Sequence, residues 1–162
     1  MVISEDTMTI TAISAKCDVV DPDIVIVDGA YMLDDEKGET NGSPQALTNI
    51  AKGLKFLAMR RKICIVAVTQ STPARTKGES LNTDSIMGSR SWAHYSNVGL
   101  GIERTEDIKI RKVRILFSRS CAPTDVMLEF DFDTGTFQEI EGMEDVDREL
   151  GELLDGEFAG SY

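Results

Sequence analysis

Apolar residues run without a break through Ile24-Val25-Ile26-Val27 and stop at an acid, Asp28. A second run, Ile63-Cys64-Ile65-Val66-Ala67-Val68, ends at Thr69-Gln70. Short, β-branched runs that do not alternate with polar residues predict strands buried on both faces, the signature of a parallel sheet. Between them, from Gln45 to Arg61, the apolar positions Leu47, Ile50, Leu54, Leu57 and Ala58 recur at steps of three and four, which predicts an amphipathic helix. Strand, exposed loop over Tyr31 to Pro44, helix and strand in that order make a crossover unit of a parallel sheet. Upstream, residues 3–20 read as a strand stub or turn leading into a short helix. Thr7 or Thr9 serves as its N-cap, Ile10, Ile13 and Val20 are its apolar positions, and Asp21-Pro22 ends it.

Downstream, Ser71 to Ser91 is polar and has no sustained period, the pattern of a functional or disordered loop. Val98 to Glu103, Lys109 to Phe117, Val126 to Asp133 and Thr136 to Ile140 read as strands, the last two joined by a turn at Asp133-Thr134-Gly135. Glu144 to Leu154 reads as one acidic helix. The expected fold class is therefore α/β, mainly a parallel sheet, with an antiparallel hairpin at the C-terminal end.

Composition narrows the classes. At 162 residues the chain has room for one domain with a sizeable core. No apolar run approaches the roughly 20 residues of a membrane span, and the first residues lack the basic-then-apolar order of a signal peptide. The expected location is cytoplasmic. Cys17, Cys64 and Cys121 are far apart and form no C-x-x-C pair, which argues against a zinc site or disulfide framework. Cys64, inside a strand, is expected to be a small core filler. The net charge of -11 is uneven: residues 141–162 hold eight acids and one arginine, so the first 140 residues carry only -4. Nucleic acid is not excluded as a partner by an acidity that belongs mostly to the tail.

Each candidate for chemistry has an ordinary reading beside the functional one. Asp28, at a strand terminus, is placed to hold the water shell of a magnesium ion as a hard oxygen donor, or is a solvated acid of any α/β protein. Gln70 either meets a γ-phosphate and its attacking water or caps a loop. Arg119, in Arg114-Ile115-Leu116-Phe117-Ser118-Arg119, ends a strand where a guanidinium could reach a neighbouring subunit's phosphates, or is a surface arginine. Arg75, Lys77 and Arg90 in the polar loop suit the backbone of a single strand. Trp92 and Tyr95 are spaced as packing residues of a helix. His94 is the single histidine, so no histidine cluster for a metal exists, and it reads as structural or as a subunit-surface residue. No lysine is followed by Ser or Thr, so the sequence contains no G-x-x-x-x-G-K-[ST] phosphate cradle.

Taken together, these residues resemble one family. The strand ending at Asp28, the helix, the strand ending in Thr69-Gln70, then Met87-Gly88-Ser89-Arg90-Ser91-Trp92-Ala93-His94-Tyr95-Ser96-Asn97-Val98, Arg114 to Arg119 and Asp133-Thr134-Gly135 are similar to the C-terminal RecA-like (P-loop NTPase) motor of DnaB-type replicative helicases, bacteriophage members above all. The similarity runs from about Ile3 to Ile140, so residues 1–140 are expected to be the C-terminal part of a motor domain and residues 141–162 an acidic tail. It implies a ring hexamer that hydrolyses ATP or another NTP with Mg2+ at subunit boundaries, moves on single-stranded DNA and unwinds duplex, with primase and a helicase loader as partners. In the host cytoplasm of a phage-encoded version, Asp28 would carry magnesium, Gln70 would be the sensor and Arg119 the arginine finger. Arg75, Lys77 and Arg90 would face the DNA channel.

Three departures accompany the resemblance. The family's P-loop and the catalytic glutamate after it find no match here, nor does its primase-binding domain, so the chain by itself is expected not to hydrolyse ATP. Where the family has a basic residue two before the finger, this chain has Phe117. A missing N-terminal half is then a required partner. The alternatives are a fragment of a RecA-type recombinase or clock-type ATPase, and a non-catalytic interaction module on the same fold.

Overall fold

The computed structural model describes residues 9–71, 81–86, 89–122 and 124–140. By packing, the chain divides into two compact units, Met1–Gly99 and Leu100–Tyr162. The expected acidic helix at 144–154 lies outside the described residues.

In the first unit, α1 spans Ile10–Val20. Thr9 is its N-cap: its hydroxyl accepts from the Ala12 N–H at 3.2 Å, satisfying one of the open donors of the first turn. Asp21 ends it in the left-handed region (φ 48°), its N–H bonded to the Cys17 carbonyl. Strand β1 covers Ile24–Asp28 and leads into a 3-10 turn at Ala30–Met32. Helix α2 spans Pro44–Arg61, with the Ser43 hydroxyl capping the Ala46 N–H at 3.1 Å and proline at the first helical position, where its missing N–H costs nothing. Arg60 and Arg61 occupy its last turn, the end where cations suit the helix dipole. Strand β2, Cys64–Val68, then pairs parallel with β1, Ile24 opposite Cys64 through Asp28 opposite Val68.

The periodicity of α2 becomes the core. Leu47, Ile50, Leu54 and Leu57 are buried along one stripe, and Ile50, Ala51 and Leu54 pack with Val27, Ala30, Leu33 and Trp92. Trp92 and the partly buried Tyr95 belong to α3, Ser89–Tyr95, so both are packing residues as their spacing predicts.

The strands differ from expectation in one respect. Val25, Val27, Ile65 and Ala67 pack toward the core, but their alternates do not: Ile24 is 60% exposed, Ile26 70%, Val66 45% and Val68 41%. Both strands are apolar on both faces yet covered on one, because α2 supplies a single layer. Cys64 lies among the exposed alternates and is no core filler.

The second unit is a four-stranded sheet in the order β3-β4-β5-β6, made of Val98–Arg104, Ile110–Ser118, Asp125–Asp131 and Thr136–Glu139. β4 and β5 pair antiparallel, as do β5 and β6, so the antiparallel part is a sheet of its own rather than a terminal hairpin. Gly135, at φ 71°, supplies the left-handed residue of the β5–β6 turn. Register sorts the faces: Val113 lies opposite Val126 and Phe130 opposite Phe137 on one, Lys112 opposite Met127 and Arg114 opposite Asp125 on the other. None of the described apolar side chains past Gly99 is buried.

Candidate functional site

The C-terminal ends of β1 and β2 lie side by side, because Asp28 is in register with Val68. Two residues beyond Val68, the exposed Gln70 therefore stands next to the turn that follows Asp28. In parallel α/β sheets this edge is where ligands are met, since the strand ends release polar groups there while the rows behind them stay apolar. Asp28 itself is exposed and aligned with the face away from α2.

A contact that sequence reasoning missed joins the two strand ends. The Gln70 side-chain amide donates to the Tyr31 hydroxyl at 2.8 Å. Tyr31 sits in the 3-10 turn closed by Met32 N–H to Gly29 O at 3.0 Å and Leu33 N–H to Ala30 O at 3.3 Å. Its ring lies against Gly29, where an added Cβ would come within 2.5 Å of Tyr31 Cε1. The Asp28–Gly29 peptide is cis. The available signal in the sequence was an aromatic residue three positions after the strand-end acid; its partner, 39 residues away, was not readable.

Beside Gln70, the Thr69 hydroxyl is buried and has no hydrogen-bond partner among the described residues. Ser71 forms an isolated antiparallel bridge with Ile86, so the segment carrying Arg75 and Lys77 starts and returns at the same place. Those two residues lie outside the described residues. Arg90 is exposed in the first turn of α3, a helix anchored on α2 by Trp92 and by a Thr48–Ser91 hydroxyl contact of 2.5 Å. The exposed His94 packs edge-on against Tyr95, with ring centroids 4.7 Å apart.

Arg119 belongs to the second unit. It follows the last residue of β4 on a tight turn in which the Ser118 hydroxyl accepts from the N–H groups of Ser120 at 3.2 Å and Cys121 at 3.1 Å. The turn leaves the Arg119 side chain exposed at a strand end, as the sequence predicts.

Among the described residues no group of three or more His, Cys, Asp or Glu side chains converges as a metal-binding cluster. The donor set at the strand ends is one exposed carboxylate, which fits magnesium held through its water shell and does not fit a dedicated protein cage. No described helix is long and apolar enough to cross a membrane.

This geometry has counterparts among solved structures. The chain superimposes on an ATPase domain solved by itself with a TM-score of 0.74 at 18% identity, over 83% of this chain and 52% of that one. It superimposes on a DnaB-like replicative helicase, described with its interactions with primase, with a TM-score of 0.76 at 17% identity, over 86% of this chain and 37% of the helicase. No family model matches the chain, and no curated protein matches it in sequence. The fold is that of the DnaB-type helicase motor domain, in part: the chain spans about half of the solved ATPase domain and less of the complete helicase.

Proposed function

We propose that this chain is the C-terminal part of an ATP-dependent replicative DNA helicase motor. The observation that carries the reading is the adjacency of Asp28 and Gln70 at the ends of two paired parallel strands, within a fold shared with a solved ATPase domain and a DnaB-like replicative helicase. Bound Mg2+ would supply charge neutralisation at the transferred phosphoryl group. Asp28 would hold it through water, its carboxylate exposed for that purpose at the end of β1. Gln70 would present amide N–H and carbonyl groups to the γ-phosphate and the attacking water. Arg119, on its turn after β4, would serve a neighbouring subunit's site, where a delocalised guanidinium stabilises charge that develops on the phosphoryl oxygens. Arg75, Lys77 and Arg90 would follow the phosphates of single-stranded DNA, and primase is the partner suggested by the DnaB-like relative.

A second reading has an observation of its own. The sequence contains no G-x-x-x-x-G-K-[ST], so a module that kept the fold without catalysis also fits. One experiment separates the two: ATP hydrolysis is measured after the chain is combined with a polypeptide bearing the phosphate cradle. In the helicase reading hydrolysis appears only in the combination, and Asp28→Asn removes it by at least about 100-fold. Hydrolysis unchanged by Asp28→Asn, or none in the combination, favours the module.

A further inference from the structure

Tyr31 is held more firmly than the residue it touches. The residues on either side of it in the turn, Ala30 and Leu33, are buried in the core cluster with Val27, Ile50 and Trp92, and two backbone hydrogen bonds close the turn around it. Gly29 lets the ring lie flat on the chain beside Asp28, since any larger residue there would strike Cε1. Gln70, by contrast, is exposed at the end of β2 and carries a long side chain with several rotamers to lose. Its hydrogen bond to Tyr31 removes that freedom. The hydroxyl takes one of the two amide N–H groups and leaves the second N–H and the carbonyl oxygen to face outward.

We propose that Tyr31 is a positioning residue for the strand-end amide, a fixed post beside Asp28 that aligns Gln70 with the phosphate of a bound nucleoside triphosphate. This rests on reading Gln70 as the group that meets that phosphate. Tyr31 itself touches no reacting atom. Its effect is on the alignment of a donor and an acceptor, and misplacement of such groups by about 1 Å costs up to roughly 100-fold in rate.

Two measurements test this. On the chain alone, Tyr31→Phe should shift the Gln70 side-chain amide resonances while leaving the backbone amides of α2 in place. If those side-chain signals do not move, the tie is absent and the proposal falls. In the hydrolysing combination with a cradle-bearing polypeptide, Tyr31→Phe should lower kcat by up to about 100-fold and leave KM for ATP unchanged. Gly29→Ala, which keeps the hydroxyl but displaces the ring, should act the same way. The double variant Tyr31→Phe/Gln70→Ala should be no slower than Gln70→Ala, because both changes remove one alignment. Additive losses, or a silent Tyr31→Phe beside a damaging Gln70→Ala, overturn the positioning role alone. A silent Gln70→Ala overturns the reading of Gln70 and the role of Tyr31 with it.

Discussion

Asp125 carries the clearest charge interaction of the described sheet. Burial pushes its carboxyl up, but hydrogen bonds from Arg114 and Lys112, and their positive charges, outweigh that and hold it below its ordinary value of 3.8. The Arg114 contact is forked, with Nε at 3.1 and 3.2 Å from the two carboxylate oxygens and Nη2 at 2.8 Å. A depressed folded-state value means that the stabilisation is fully present above the unfolded value. It is lost as pH falls through the lower folded one. With about a third of the Asp125 side chain exposed, solvent screening limits the pair. Asp125→Asn should therefore cost at most about 1 kcal/mol at neutral pH, and the gap from wild type should close below the ordinary carboxylate range. Urea midpoints measured against pH would show this, and a gap independent of pH would contradict it. Asp28 and Gln70 were legible at this scale because a polar residue ending an apolar run marks a strand terminus. Tyr31 was not, since its hydrogen bond spans 39 residues of chain.

Helix α2 shows how far a periodic pattern carries at the scale of elements. Its apolar stripe, its serine cap and its proline start were all in the sequence, and the structure places each where helix physics requires. Ile50 is 1% exposed and fills the middle of the core, so Ile50→Ala should cost about 2–5 kcal/mol. Ser43→Ala should cost about 1 kcal/mol through its lost cap. Ile26→Ala, at a side chain left mostly in solvent, should change stability by less than about 0.5 kcal/mol. Chemical denaturation of the three variants ranks them; an Ile26 effect as large as that of Ile50 would show that the open strand face is packed in solution. The strands were recognised, but their burial was not. A continuous apolar run states that both faces can be covered, and only the number of layers present decides whether they are.

At the scale of the whole molecule, the two compact units differ in kind. The first has a closed core around α2, whereas no described apolar side chain past Gly99 is buried. Local stability follows buried apolar contact, so amides of α2 and of β1–β2 should exchange with solvent slowest, and those of β3–β6 should exchange earlier. Hydrogen exchange across the full chain tests this, and equal protection of both units would refute it. The chain matches 52% of the solved ATPase domain and 37% of the DnaB-like helicase, so the fold it shares with them is a portion of theirs. That portion contains the strand ends carrying Asp28 and Gln70. In the proposed motor, the phosphate cradle comes from polypeptide outside it.

Taken by itself, the sequence determined the local elements and their polar ends. Helices follow from a three-to-four spacing of apolar residues with caps at the boundary. Strands follow from β-branched runs, and turns from residues such as Gly135 that tolerate left-handed backbone. These are interactions between near neighbours, so they are written in adjacent letters. Tertiary structure alone decided which face of β1 and β2 is covered, that the last strands join β3 in a four-stranded sheet, and that Tyr31 meets Gln70. Each depends on which distant segments pack together, and that is settled by the area they bury against one another rather than by any local pattern.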